Sequence, residues 1–221
     1  MTRYGMAIDL KRCVGCQACA TACKIANNLP KDIVYNVVYT KTDRDWDADF
    51  GTAVVRGAVA NDNAGGTFPH CVLEFLPVQC QHCENPSCLR VCPTGATQKR
   101  EDGIVWVDNE LCIGCAACIM ACPYDGVRSM NENEPEYYLD VTVGEHDAPV
   151  HEAGTVEKCT FCKNLVDRGE VPACMQLCMG RARFWGDLDD PESAVSKAIE
   201  GRDYHKLRES AGTDPNVYYL L

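Results

Sequence analysis

Sixteen of the seventeen cysteines of this 221-residue chain fall into four groups of closely similar spacing, and no other feature restricts its fold as much. The first group is Cys13-x2-Cys16-x2-Cys19-x3-Cys23 and the second is Cys80-x2-Cys83-x4-Cys88-x3-Cys92-Pro93. The third is Cys112-x2-Cys115-x2-Cys118-x3-Cys122-Pro123 and the fourth is Cys159-x2-Cys162-x11-Cys174-x3-Cys178. Four variants of one theme amount to an internal repeat, and the repeat defines the architecture. Cys71 fits no group and is expected to be a buried structural thiol, because free cysteine packs as a small hydrophobe.

Cysteine makes up about 8% of the chain, close to the level of a secreted disulfide scaffold. The odd count, the length and the repeated spacing argue against disulfides and for metal held by thiolates. Structural zinc sites use C-x2-C pairs well separated in sequence, not four cysteines packed into one short stretch. A cubane instead needs four sulfurs at tetrahedral corners, and C-x2-C-x2-C presents three of them from one tight loop. The fourth cysteine lies past the start of a short helix, faces away, and reaches the other cluster of a pair. Gly15 and Gly114 inside the loops are expected to allow close backbone approach to sulfur, and Pro93 and Pro123 to redirect the chain.

Without the cysteines, the 46% hydrophobic fraction falls to about 38%, so inorganic clusters are expected to supply much of the interior. The formal charge is −11. Four oxidised cubanes would bring it to roughly −19, which makes nucleic acid an improbable partner. No run of eighteen apolar residues encodes a transmembrane helix, and the start of the chain carries no apolar signal core.

Only nineteen residues, 93–111, separate the second and third groups, so these are expected to form one ferredoxin unit. Cys80, Cys83, Cys88 and Cys122 would hold one [4Fe–4S] cluster, and Cys112, Cys115, Cys118 and Cys92 another. The outer groups then pair around that insert. Cys13, Cys16, Cys19 and Cys178 would hold a third cluster, and Cys159, Cys162, Cys174 and Cys23 a fourth.

The fold expected is α+β, with two ferredoxin-like dicluster units, the inner inserted into the outer, and a small β-rich insert. The segments are 1–30 with 150–190 for the outer unit, 31–70 for the insert, 71–149 for the inner unit, and 191–221 for a C-terminal helix and extended tail. Residues 103–108 read as a strand, and 33–40 and 52–60 as β-prone stretches split by an acidic turn. Asp190 reads as a helix cap, with Ala194, Val195, Ala198 and Ile199 on the buried face and Gly201 at the end. The tail 213–221 is extended and lies either on a partner or on the domain itself.

Several residues invite stronger readings than their surroundings support. His82, between two ligand cysteines, is expected to pack or hydrogen-bond beside a cluster rather than ligate it. Lys24, Lys158 and Lys163 flank ligand cysteines, where a cation would favour a reduced cluster; the alternative is ordinary solvated lysine. Trp46, Trp106 and Trp185 are expected to be packing residues. No phosphate loop, supported nucleophile–His pair or organic-cofactor motif is present, so the chain is expected not to be catalytic alone.

The wording of the motifs resembles the iron–sulfur subunits of the dimethyl sulfoxide reductase family of molybdopterin enzymes, over nearly the whole chain. It rests on the four groups in order, Cys80-Gln81-His82-Cys83, Cys122-Pro123-Tyr124, Lys158-Cys159-Thr160-Phe161-Cys162, Gly186-Asp187-Leu188-Asp189-Asp190-Pro191 and Val217-Tyr218-Tyr219-Leu220. The chain looks most similar to the small subunits of respiratory arsenate and polysulfide reductases. One departure is Cys178-Met179, where many relatives have proline. The resemblance implies four [4Fe–4S] clusters relaying electrons between a large catalytic subunit carrying molybdopterin and a redox partner, such as a quinol-binding membrane subunit. It also implies export with that partner to the outer face of the cytoplasmic membrane, a cytoplasmic site being the alternative. The rival function is a free-standing polyferredoxin shuttle.

Overall fold

The computed structural model describes residues 2–41, 65–72, 74–124 and 126–221. The chain opens with strand β1 (Tyr4–Asp9), then helix α1 (Ala18–Ala26), which carries Cys19 and Cys23 one turn apart. Strand β2 (Asn36–Lys41) follows, then the hairpin β3 (Gly65–Thr67) and β4 (His70–Val72), and β5 (Glu74–Gln79), which runs directly into Cys80. Helix α2 (Ser87–Arg90), the hairpin β6 (Thr97–Lys99) and β7 (Val105–Val107), helix α3 (Ala117–Met120) and strand β8 (Arg128–Met130) carry the middle of the chain. The last third is β9 (Val156–Lys158), α4 (Lys163–Asp167), α5 (Ala173–Gln176), β10 (Arg183–Asp187), α6 (Ala194–Ile199), β11 (Tyr204–His205), a 3-10 turn at Glu209–Ala211, and β12 (Val217–Leu220).

Among the described residues five small sheets result, and only one is larger than a pair: the four-stranded sheet β10-β1-β12-β11. In it β1 pairs antiparallel with β10, Met6 opposite Trp185, and parallel with β12, Met6 opposite Val217. The extended tail is therefore part of the domain's own sheet, and all four residues of β12 are buried. Strands β2 and β5 pair from Asn36 with Gln79 to Lys41 with Glu74. The β-prone stretch 33–40 thus becomes a strand shifted slightly onward, whereas 52–60, the acidic turn and Trp46 lie outside the described residues. The middle of the chain is held by the hairpin β6–β7, and β8 pairs antiparallel with the more distant β9, three residues in each strand.

The main core contains Met6, Ile8, Ile33, Leu76, Ile104 and Phe161 together with cysteines of the first, second and fourth groups. Each fully buried aliphatic or aromatic side chain contributes about 1.5–3 kcal/mol relative to exposure. This core is continuous with the thiols, so metal loading and packing share the same interior.

Two local expectations are corrected. Ser193, not Asp190, caps α6: its Oγ accepts the Ser196 amide at 3.2 Å, while Asp190 receives the Glu192 amide in the preceding turn. On α6 Val195 is buried and Ala198 and Ile199 are half-buried against the same cluster, but Ala194, at the first position of the helix, is exposed; Gly201 ends it at φ 67°. Cys71 is exposed on the β3–β4 hairpin, whose neighbours His70 and Phe68 also face solvent, so among the described residues no apolar surface covers it.

Candidate cluster-binding sites

Each cysteine group is built as a loop running into a short helix. The third cysteine of every group lies in a helix: Cys19 in α1, Cys88 in α2, Cys118 in α3 and Cys174 in α5. Ahead of α1 and α3 the loops curl through left-handed residues, Gly15 and Gln17 in one, Gly114 and Ala116 in the other. Left-handed backbone turns consecutive side chains toward one centre. The close approach at Gly15 is to the Phe75 ring, 2.5 Å from where a Cβ would sit, and at Gly114 to the Gly154 carbonyl oxygen, 2.3 Å away.

Thiols distant in sequence meet across these loops. Cys13, Cys16, Cys19 and Cys178 line one cavity, and Cys80, Cys83, Cys88 and Cys122 line another. Burial, and after it the neighbouring Cys162, Cys159 and Cys174, push the Cys23 thiol well above its ordinary value. Burial also raises Cys118, whose thiol neighbours are Cys88, Cys112 and Cys92. Cys115 is exposed, at the solvent side of its loop. Met179 in place of proline does not keep Cys178 from the first cavity.

The sets also lie within electrostatic reach of one another in series. Cys174 is raised to about 12 by burial, with Cys162 and Cys19 among its neighbours, so it borders the Cys13 set. Cys159 has Cys80 as a neighbour and borders the second group; Cys118 has Cys88 and borders the same group from the other side. Burial is the largest influence on these thiols, and Cys83 and Cys122 are pushed by it to about 11 and about 12. Against the cost of burial, the Thr97 amide and the Thr94 hydroxyl hold Cys92 down at about 7.

The donor set fits iron–sulfur cubanes. All seventeen cysteines carry free thiols. Backbone amides point at sulfur as they do around bound clusters: Ala182 to Cys178 at 3.2 Å, and Thr97 to Cys92, Val156 to Cys112 and Phe161 to Cys159 each at 3.4 Å. Arg128 lines the Cys80 cavity with both terminal nitrogens buried and without hydrogen-bond partners among the described residues. A buried unpaired guanidinium is costly, and an anionic group in that cavity would satisfy it.

Comparison with known proteins agrees with this chemistry. A family model described as a 4Fe-4S dicluster domain matches residues 71–136 and 147–188, and a 4Fe-4S binding domain matches 10–36. A candidate dimethyl sulfoxide reductase iron–sulfur subunit from Halobacterium salinarum is 43% identical over 100% of this chain and 79% of its own length. A selenate reductase subunit from Mesobacillus selenatarsenatis is 39% identical, over 97% of this chain and 70% of its own. The arsenate respiratory reductase iron–sulfur subunit of a Shewanella species is 35% identical over 99% of this chain and 96% of its own. The chain belongs to this family of reductase iron–sulfur subunits. Its length agrees with the arsenate subunit, as the motif wording suggested, although identity to the other two is higher.

Residues flanking the ligand loops of this iron–sulfur subunit now have assigned surroundings. His82 is fully buried; its Nδ1 accepts the Val105 amide at 3.0 Å and its ring stacks on Phe161 with centroids 3.7 Å apart. Burial, then Lys158 and Arg128, push its pKa well below the ordinary histidine value, so it is a neutral packing residue. Trp185 packs between Tyr4 and Phe161, with ring centroids 4.9 and 4.7 Å away, and Trp106 carries the Lys163 ammonium 3.9 Å from its ring. Lys24 donates to the carbonyls of Pro30, Lys31 and Ile33, closing the turn after α1. Lys158 is buried and donates to the carbonyls of Val105 and Cys159.

Sequence reasoning missed two features. Arg128 and Arg183 are both 3% exposed, yet arginine in a sequence reads as surface. The available signal was positional, since each follows the last cysteine of its group by five or six residues. The second is a buried polar knot. Glu157 binds His151 Nδ1 at 2.7 Å and accepts from Tyr35 Oη and Asn131. His151 Nε2 lies 2.9 Å from the Asn27 carbonyl, and the Asn27 amide reaches the sulfurs of Cys23 and Cys162.

Proposed function

We propose that this chain, an electron-transfer subunit and not a catalyst by itself, carries four [4Fe–4S] clusters in one line. Cys13, Cys16, Cys19 and Cys178 hold the first; Cys23, Cys159, Cys162 and Cys174 the second. Cys80, Cys83, Cys88 and Cys122 hold the third, and Cys92, Cys112, Cys115 and Cys118 the fourth. The observation that carries this reading is that thiols distant in sequence line shared cavities, Cys178 with Cys13, Cys16 and Cys19, and Cys122 with Cys80, Cys83 and Cys88; Cys174, Cys159 and Cys118 lie within electrostatic reach of the adjoining sets. On this reading the second and third cysteine groups form a dicluster unit inserted into the unit made by the first and fourth.

A cubane held by four thiolates supplies a one-electron carrier, with potentials across such clusters spanning roughly −700 to +450 mV. The protein's part is to fix the ligands, direct amides at sulfur and exclude water. The stacked His82 and Phe161 rings do the last at the junction of the two units. Electrons pass between a large molybdopterin subunit at one end and a redox partner at the other. That partner is a quinol-binding membrane subunit, and the complex sits on the outer face of the cytoplasmic membrane. Among the described residues no helix is long and apolar enough to cross a membrane.

The test is the native complex isolated anaerobically. It should contain about sixteen irons for each copy of this chain, co-purify in fixed ratio with a molybdenum-bearing chain, and show quinol-dependent reduction in membranes. Cys178→Ser should abolish the signal that Cys13→Ser abolishes. Loss instead of the signal that depends on Cys112 would overturn the ligand assignment, and purification alone as a stable monomer would favour a diffusing shuttle. Protease accessibility in spheroplasts tests the compartment.

A further inference from the structure

The described residues bury three lysine or arginine side chains: Arg128, Lys158 and Arg183. None of them has a carboxylate within ion-pair distance among the described residues. Arg128 and Lys158 even stand directly opposite each other in the β8–β9 ladder, where like charges repel. The carboxylates buried with them are already engaged elsewhere, Asp9 with Arg202 and Arg12, and Glu157 with His151 and Tyr35. Removing charge of one sign from water without a counter-charge is among the most costly arrangements a protein can hold. Among the described residues, the groups able to supply a counter-charge to both arginines are the thiols whose cavities they line.

The two arginines occupy equivalent places. Arg183, just inside β10, lines the cavity of Cys13, Cys16, Cys19 and Cys178. From there its Nη1 reaches the Cys174 sulfur at 3.7 Å, in the neighbouring set. Its remaining partners, Met6, Gln79 and Asn36, are all neutral. Arg128, at the start of β8, lines the cavity of Cys80, Cys83, Cys88 and Cys122 and leaves both terminal nitrogens unbonded. Cys118 of the adjoining set also acts on it, after Cys88 and Cys80.

We propose that Arg183 and Arg128 are charge-compensating residues, each shared by one pair of cysteine sets, that hold an added electron in both members of the pair. This rests on the ligand sets proposed above. An electron arriving at either set adds one negative charge, and the guanidinium between the sets stabilises that charge wherever in the pair it resides. Each arginine therefore raises two potentials together and weakens the repulsion between two electrons in one pair.

The test is a dye-mediated redox titration of the anaerobic complex, followed by low-temperature paramagnetic resonance, with signals assigned by Cys13→Ser and Cys112→Ser. Arg183→Gln should shift the oxidised-to-reduced ratio at the wild-type midpoints of its own two clusters at least tenfold toward oxidised, about 59 mV. The other two clusters should change less than about twofold, about 18 mV. Arg128→Gln should give the mirror pattern, and Arg183→Lys and Arg128→Lys, which keep the charge, should recover most of each shift. If a glutamine variant loses the iron of its own pair and the lysine variant keeps it, the charge requirement appears in assembly, and the proposal stands. Full iron with unmoved midpoints would overturn it, as would lysine and glutamine variants that shift, or lose iron, alike. Failure of the ligand sets themselves would look different: wild-type iron far below about sixteen per chain, or Arg183→Gln moving signals that Cys112→Ser abolishes.

Discussion

The first and fourth cysteine groups are anchored by a four-stranded sheet that joins residues from both ends of the chain, whereas the second and third are joined by one hairpin of three residues per strand, β6–β7. Burial differs less: Cys19, Cys23, Cys159, Cys162 and Cys174 are buried in the first and fourth groups, and Cys80, Cys83, Cys88 and Cys118 in the second and third. We expect the half with non-local pairing to keep backbone structure without metal, and the half built from local loops to draw more of its order from the ligands. A chain of that kind would combine a self-supporting frame with a metal-dependent one in a single core.

The largest test of that difference is removal of iron. Anaerobic chelation should strip hydrogen-exchange protection from β6, β7, β8 and α3, leaving measurable protection in β1, β10 and β12. Equal loss in both halves would remove the distinction. Gly114→Ala against Gly15→Ala comes next. The first drives a Cβ into a backbone oxygen and the second into the Phe75 ring, both at positive φ. We expect Gly114→Ala to cost about 3 kcal/mol and to lose iron from its loop, and Gly15→Ala about half as much, since a partly buried ring can swing away. Chemical denaturation with iron analysis reads both.

His151→Ala should cost about 3 kcal/mol, because it leaves Glu157 without its cation beside the buried Cys23 set. The pH dependence has a definite sign. Burial works against a charged His151, but Glu157 outweighs it and raises the pKa above 6.5. Its contribution is therefore complete below pH 6.5 and fades as pH rises through the folded value. Thermal unfolding of the wild type should weaken above pH 6.5 more than that of the variant. Smallest is the clasp between the halves, in which Arg100 of the β6–β7 hairpin binds Asp167 of α4 at 2.7 and 3.0 Å. Arg100→Ala should cost about 0.5 kcal/mol, read in the same melts.

The sequence made the cysteine groups legible because each is local: in the first three groups the four cysteines fall within about a dozen residues, and in the fourth within about twenty, so spacing alone exposes the geometry. It did not reveal the sheet. Residues 4–9 are a short stretch next to a cysteine loop, and their partners lie at the far end of the chain, beyond the reach of any local pattern. The cap of α6 was ambiguous because Asp190 and Ser193 are both good caps three residues apart, and only the Ser196 amide decides between them. Cys71 was misjudged because a general tendency of free cysteine yields to the site it occupies, the face of a solvent-exposed hairpin. The buried arginines were hidden for a related reason: their environment is the cysteine sets themselves, which exist only after folding.

The parallel neighbours β1 and β12 also set an order of construction. The ribosome delivers β1 about two hundred residues before β12, and Cys13 waits for Cys178 to complete its cavity. The central loops and hairpin β6–β7 need no such wait, because their partners follow within a short stretch of chain. The middle of the polypeptide is therefore ready for iron before the cavity at Cys13 can close, and β12 acts as the latch of the sheet.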